Sequence, residues 1–338
     1  GHYGSFQKSQ DYTGFILEKI GKSGLEAFVQ PGSHESLLVY QPVIEHFAGN
    51  HGGKYSNVVD VLEERKFEHN GHTLVFLPGS DFLCRGQYQI GNIEDISEGV
   101  YVRFKEGLAE FEDWREYAGL IIRAQQKGRS VGEAFQYIKM SNLKTMVNDP
   151  DKTIVVCHVP RKFDDLESCV DMAEFGEIER DFYADIIQYK DGEVQRRVFY
   201  EEGEGRTVLL PRAIESHSRN IKFEKGSIFP INPARAWVES GAPVKIKTEN
   251  RGNRDLANLY DELGITKAVS GHFHESAHRA NDRNGNKVKE GEFVDELFWM
   301  GSYLDGMKAG ILTVRDGGEV SYRNIDLRNS VNGRDLSK

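Results

Sequence analysis

Three short apolar runs in the sequence each lead into a turn that carries histidine. Each run has the length of a buried strand, and each turn contains glycine or proline. The runs and the histidines that follow them are Ala27–Val29 with His34, Thr153–Cys157 with His158, and 265–270 with His272 and His274. Because ligands bind beyond the carboxyl ends of strands in open α/β sheets, these imidazoles are candidates for one common site.

The pair His272 and His274 has a spacing that suits metal binding. At the end of a strand, residues two apart point to the same side, so both imidazoles can face one metal cluster. Neutral imidazole is a good ligand for Mn, Fe, Zn and Ni. Taken alone, the same spacing also fits an ordinary exposed loop, so both interpretations stay open at this point.

The order of the patterns predicts a mixed α/β fold. Strands alternate with helices early in the chain, and β-hairpins dominate its end. A chain of 338 residues with 38% hydrophobic residues can bury a sizeable core. We expect one domain over 1–327, a helical insertion at about 93–148 and a polar C-terminal tail at 328–338.

Charge and cysteine content narrow the class of protein. The net charge of −10 disfavours non-specific nucleic-acid binding without excluding a locally basic cleft. The three cysteines, Cys84, Cys157 and Cys169, are dispersed, which indicates reduced thiols in a cytoplasmic protein. No apolar run approaches the roughly 20 residues that span a bilayer, and we see no secretory signal peptide and expect no membrane partner.

Three motifs, in order, resemble those of the calcineurin-like metallophosphoesterases. The segment AVSGHFH resembles that family's closing GHxH motif, and IVVCHVP resembles its preceding strand–His–Pro motif. The segment AFVQPGSHE resembles its middle motif, GNH followed by Asp or Glu. The resemblance covers about residues 11–327. It implies an αββα sandwich of mixed sheets and metal-dependent hydrolysis of phosphoester bonds.

The resemblance also implies a role for each matched histidine. His158 and His272 would bind the second of two divalent metal ions, and His274 would bind the first. His34 would contact the phosphate and protonate or stabilise the leaving oxygen. The nucleophile would be a hydroxide that bridges the two metals. Manganese is the metal we expect, with Fe, Zn and Ni as alternatives.

The sequence departs from the family pattern at its start. The family opens with an Asp-x-His motif and a GDxxD-like motif, and this sequence contains neither. These motifs would supply most ligands of the first metal. We expect that the sequence begins after them, so that the domain is incomplete at its N-terminus. The alternative is a degenerate relative that has lost half of the site.

Two further positions are candidate metal ligands, and one is a candidate for substrate binding. Ser33 occupies the place where the family usually has Asn, although a hydroxyl is the poorer ligand. Asn50 belongs to a literal Gly-Asn-His that follows a helical pattern, so we rank it below Ser33. Arg161 follows the His158 motif and could contact a substrate phosphate, or it could be an ordinary solvated charge.

The sequence therefore predicts a cytoplasmic, divalent-metal phosphoesterase that acts on phosphodiesters or phosphomonoesters of unknown identity. The missing aspartate motifs motivate an alternative, a non-catalytic relative that acts as a binding or scaffold protein. A nuclease is the third hypothesis, and the acidic net charge argues against it.

Overall fold

The protein combines helices with several mixed sheets, and its architecture is described from a computed structural model. The structure describes residues 6–81, 86–104, 107–164, 169–186, 195–201, 204–210, 218–239, 241–301, 303 and 306–328. The expected mixed α/β class is confirmed at this level.

The described α-helices have recognisable start and stop residues. Asn253 caps one of them, because its side-chain oxygen accepts a hydrogen bond from the Leu256 amide, and Gly264 ends it at a φ of 70°. The helices are α1 (Phe6–Ser23), α2 (Leu37–Phe47), α3 (Trp114–Gln126), α4 (Leu143–Met146), α5 (Ile231–Glu239) and α6 (Arg254–Leu263).

The described strands are mostly short, between two and seven residues. In chain order they are β1 (Ala27–Val29), β2 (Val58–Asp60), β3 (Lys66–His69), β4 (His72–Leu77), β5 (Tyr88–Gly91), β6 (Gly99–Phe104), β7 (Gly107–Phe111), β8 (Glu133–Lys139), β9 (Thr153–Cys157), β10 (Met172–Ile178), β11 (Phe182–Ile186), β12 (Gln195–Glu201), β13 (Glu204–Leu210), β14 (Ser218–Phe223), β15 (Ile228–Pro230), β16 (Val244–Asn250), β17 (Lys267–Ser270), β18 (Ala280–Asn281), β19 (Leu297–Met300), β20 (Lys308–Val314) and β21 (Val320–Asp326).

A six-stranded sheet holds the middle of the larger core. Its order is β18-β19-β17-β9-β4-β3, and β19, β17, β9 and β4 run parallel to one another. Val75, Val155 and Phe298 are buried in this sheet, and Leu256 and Tyr260 of α6 belong to the same cluster. Since parallel strands share their direction, their carboxyl ends meet at one edge of the sheet.

A second apolar cluster lies beneath α1 and α2. Leu17 of α1 packs with Leu37 and Ile44 of α2, and Tyr88 of β5 joins them. The two-stranded parallel sheet of β1 and β2 lies beside these helices. Val29, the last residue of β1, packs against this cluster, and the loop that carries His34 begins after it.

The stretch 93–148 contains about as much strand as helix, whereas the sequence predicted a helical insertion. Strands β5, β8, β6 and β7 form a four-stranded sheet in that order, and only α3 and the short α4 are α-helical. Strand β6 pairs antiparallel with both β7 and β8, which places it inside the sheet.

Residues 172–250 form one compact unit, and 1–171 together with 251–338 form another, where the sequence predicted one domain over 1–327. Within it, β10 pairs with β15 and β16, and β11–β14 form a four-stranded sheet. The predicted hairpin is confirmed, because β11 pairs antiparallel with β12, although its turn lies outside the described residues. Phe182, Trp237 and Val244 are buried in the unit's own core.

Asp171 joins the two points of the larger unit at which the chain enters and leaves residues 172–250. The main-chain oxygen of Asp171 accepts a 2.8 Å hydrogen bond from the Arg251 amide. Its buried carboxylate accepts hydrogen bonds from the amides of Phe163, at 2.8 Å, and Gly252, at 3.3 Å. The chain therefore leaves and rejoins the larger unit at one point.

The remaining expectations concern the C-terminus, the cysteines and membrane spans. Strands β20 and β21 form the expected hairpin, whereas nearly all of the tail at 328–338 lies outside the described residues. Cys157 and Cys169 are buried free thiols, and Cys84 also falls outside the described part. Among the described helices, none is long and apolar enough to cross a bilayer.

Candidate functional site

The strand ends deliver the predicted histidines to one place. His158 follows β9, and His272 and His274 follow β17, its parallel neighbour in the sheet. The loop after β1 joins this edge because the Gly79 amide donates a 2.8 Å hydrogen bond to the Pro31 oxygen. The first two motifs and the last therefore meet, although more than 230 residues separate Gly32 from His272.

The imidazoles of His158 and His272 are in direct contact. Nδ1 of His272 lies 3.2 Å from Nε2 of His158, and the two ring planes are 69° apart. The Ser33 hydroxyl lies 3.2 Å from the same Nε2 atom. One ring nitrogen of His158 is thus the common point of the three motifs.

Glycine makes this close approach possible. A Cβ atom at Gly32 would lie 2.9 Å from Cε1 and Nδ1 of His158, which is closer than real contacts allow. The Gly32 amide donates a 2.8 Å hydrogen bond to Oε2 of Glu35, and the Gly271 amide donates a 3.1 Å bond to the His158 oxygen. These bonds fix both loops against the central imidazole.

Both central histidines are uncharged at neutral pH. Burial lowers the pKa of His158 to about 4, and the nearby charges of His34 and His274 act in the same direction. Burial also lowers the pKa of His272 to about 3, helped by His158 and opposed by the carboxylate of Asp81. Neutral imidazoles keep a lone pair, which a metal ligand requires.

The backbone of His272 lies in the left-handed region, with a φ of 75°. A side chain other than glycine in this region costs on the order of 1–3 kcal/mol, and such residues cluster at active sites and ligand-binding sites. The sheet and the neighbouring loop therefore hold His272 in a conformation that local preference disfavours. This strain is an observation that points to function at this residue.

The outer histidines have different surroundings. The imidazole of His274 stacks on the Tyr303 ring, with the centroids 3.9 Å apart. Tyr303 follows β19, so a fourth neighbouring strand contributes to the site. His34 is exposed and lies close enough to the central pair to affect the pKa of both rings. An exposed imidazole at the rim can reach a bound molecule.

Asp81 is a site residue that the sequence analysis missed. It follows the end of β4, which pairs with β9 in the sheet, and its carboxylate raises the pKa of His272. The sequence held a signal for it, since Asp81 comes after an apolar strand and a Pro-Gly turn, as the histidines do. Searching those strand ends for carboxylates as well as imidazoles would have found it.

Asn50, the alternative ligand, belongs to a separate network. Its side-chain amide donates a 2.8 Å hydrogen bond to the Asp60 oxygen, and its side-chain oxygen accepts a 3.0 Å bond from the Asp60 amide. His51 and Tyr40 bind the Asp60 carboxylate at 2.9 Å each. The structure thus uses the literal Gly-Asn-His segment to hold β2, and Ser33 is the candidate that meets the histidines.

Arg161 has extensive structural contacts, which favour a structural role over the predicted contact with a substrate phosphate. Its guanidinium forms two hydrogen bonds to the Asp261 carboxylate, of 2.9 and 3.1 Å, and is only 8% exposed. It also packs over the rings of Phe163 and Phe298, 5.2 and 5.0 Å from their centroids. The Arg161 guanidinium therefore connects the loop after β9 to α6 and to the hydrophobic core.

The donor set is chemically suited to a divalent metal ion. Three histidines, the Asp81 carboxylate and the Ser33 hydroxyl converge here, and imidazole with carboxylate suits Mn, Fe and Zn. Within the described ranges, no three His, Cys, Asp or Glu side chains already stand in metal-coordinating positions.

Comparisons with family models, with curated proteins and with solved structures find no match to this chain. What the site can do is therefore inferred from its own residues.

Proposed function

We propose that the protein is a divalent-metal-dependent phosphoesterase with a fold of the metallophosphoesterase type. The observation that carries this proposal is the meeting of His158, His272 and Ser33 at a single ring nitrogen. Residues from three motifs that resemble one metal-site pattern converge, although they are far apart in the chain. The neutral state of both imidazoles supports metal binding rather than a charge relay.

Each residue then has a chemical role. His158, His272 and His274 would hold a divalent metal ion, and the Tyr303 ring restricts the plane of His274. The Asp81 carboxylate would offset the positive charge of that ion beside His272. Exposed His34 donates a proton or a hydrogen bond to the leaving oxygen. A divalent ion, when bound, supplies Lewis-acid charge to the phosphate oxygens.

Hydrolysis of bis(p-nitrophenyl) phosphate with added Mn²⁺ tests the proposal. We expect activity that EDTA abolishes, and at least about a hundredfold loss in His272→Asn. Asn tolerates positive φ, so this variant removes the imidazole while keeping the backbone.

His278→Asn is the matched control, because His278 also has a positive φ, of 77°, but its Nε2 donates a 2.9 Å hydrogen bond to the Ala309 main-chain oxygen. It should keep most of the activity. Hydrolysis that survives in His272→Asn, or that does not respond to metal, would exclude the proposed site.

A further inference from the structure

A cavity of about 200 Å³ opens beside His34. The loop after β1 forms one wall, and residues of β5, β6 and β8 form the other. The two walls are joined at Gly86, where a Cβ atom would lie 2.7 Å from the Ser33 oxygen. The cavity therefore includes His34 in its lining, and the sheet of β5, β8, β6 and β7 bounds its other side.

Two buried polar atoms in the lining lack hydrogen-bond partners within the described part of the chain. Gln89 is 5% exposed, and its Nε2 donates a 2.7 Å bond to the Gly86 oxygen, which fixes the orientation of the amide. Its Oε1 has no partner, and the same holds for the buried Oγ of Ser36. Both atoms have almost no accessible surface, so a small shift of either side chain toward the cavity would let it meet a ligand hydroxyl group. This contact would be stabilising, because unsatisfied buried polar atoms are unfavourable.

The charges in the lining select against anions. Arg103 contributes one positive charge, and Glu35 and Glu133 contribute two negative charges. A second phosphate or a carboxylate on the ligand would meet net negative charge. A hydroxyl group is neutral and both donates and accepts hydrogen bonds, so it suits glutamine, serine, arginine and glutamate together.

The cavity is also unsuited to large apolar or aromatic groups. Phe135 is 2% exposed, and the Arg103 guanidinium lies over its ring, 5.4 Å from the centroid. A base would find this ring face already covered. The volume corresponds to about seven waters at roughly 30 Å³ each, below the roughly 300 Å³ of drug-sized pockets.

We infer that this cavity binds the alcohol part of the substrate, and that this alcohol is a short, uncharged polyol. The inference rests on the proposed phosphoesterase function, since it places the phosphate at the histidines and the alcohol beyond His34. Gln89, Ser36 and Arg103 are the residues that recognise its hydroxyl groups.

Binding of phosphonates tests this inference without hydrolysis, because their C–P bond is not cleaved. Calorimetry with Mn²⁺ present compares 2,3-dihydroxypropylphosphonate with propylphosphonate, which lacks only the two hydroxyl groups. We expect the dihydroxy compound to bind at least about tenfold more tightly. We expect 2-carboxyethylphosphonate to bind more weakly than the dihydroxy compound.

Variants assign this preference to the cavity. Gln89→Leu should reduce it below about threefold, and exposed Arg103→Met provides a second test that does not disturb the core. Gln136→Leu, in β8 but outside the lining, is the matched control and should keep the preference. Melting temperatures establish that each variant is folded.

Equal affinities for the two phosphonates, or a preference that persists in both Gln89→Leu and Arg103→Met, would overturn the inference. If the protein hydrolyses bis(p-nitrophenyl) phosphate but shows no preference for the dihydroxy compound, the cavity inference is wrong and the phosphoesterase proposal is kept. If the protein prefers the dihydroxy compound but hydrolyses no phosphoester, the cavity binds polyols and the phosphoesterase proposal is wrong.

Discussion

Nδ1 of His272 lies 3.2 Å from Nε2 of His158, and the two residues end adjacent parallel strands. Two neutral imidazoles at this distance can share one proton or turn toward one cation. Burial disfavours adding a proton to either ring and lowers both pKa values, and His158 further lowers the pKa of His272. The pair therefore resists protonation, which agrees with the proposed metal site.

This pair makes the stability of the metal-free protein depend on pH. The pKa is about 4 for His158 and about 3 for His272 in the folded chain, below the roughly 6.5 of an unfolded chain. Below pH 6.5 the unfolded state binds protons that the folded state does not, so the free energy of unfolding falls as pH falls. The slope is at most about 1.4 kcal/mol per pH unit for each histidine.

Urea denaturation in EDTA between pH 7 and pH 5 measures this loss. The double variant His158→Gln/His272→Asn removes both groups, and its free energy of unfolding should change less over the same range. Identical pH profiles for the two proteins would contradict the lowered pKa values.

Replacing Gly32 with alanine should impair metal binding more than it impairs folding. The new methyl group would lie 2.9 Å from the His158 ring and displace it from Ser33 and His272. We expect about a tenfold or greater rise in the Kd for Mn²⁺, measured by calorimetry. Gly317→Ala is the control, since a Cβ atom there has no heavy atom within 4 Å and should leave the Kd unchanged.

Replacing Arg161 should reduce stability and spare activity. Arg161→Met keeps much of the apolar stem but leaves Asp261 without its ion pair and removes the contact with the two aromatic rings. Because Asp261 is exposed, we expect a loss of about 1–3 kcal/mol in the free energy of unfolding, less than for a fully buried pair. If Arg161 contacted substrate instead, KM for the aryl diester would rise at temperatures where the variant is fully folded.

Tyr303 should act on His274 through its ring alone. The stacked arrangement restricts the imidazole plane, so Tyr303→Ala should weaken Mn²⁺ binding by about tenfold. Tyr303→Phe keeps the ring and should bind the metal as the wild type does. Equal weakening in both variants would transfer the role from the ring to the hydroxyl group.

Local patterns predicted the elements whose structure depends on their own residues. Helix α6 has an apolar face and a glycine stop, and β9 and the hairpin of β20 and β21 are bounded by clear turn residues. In the stretch 93–148 the charged residues resemble a helix surface, so the strands beside α3 and α4 were not predicted. Its strands are set by pairing that no local window contains, such as Tyr88 beside Gln136.

The same distinction applies to the site. Histidines at strand ends could be recognised from sequence, because the strand and the turn are both local. Asp81 joins them only through the pairing of β4 with β9, and Arg161 finds Asp261 100 positions further along the chain. The sequence alone therefore could not predict which polar residues are in contact in the folded protein.

The position of Asp171 has an evolutionary consequence. Since the chain leaves the larger unit and rejoins it beside this one residue, 172–250 could be lost or exchanged in a related gene without breaking any strand of the six-stranded sheet. The histidine site lies wholly in the larger unit. Descendants could therefore vary the inserted module while inheriting the same chemistry.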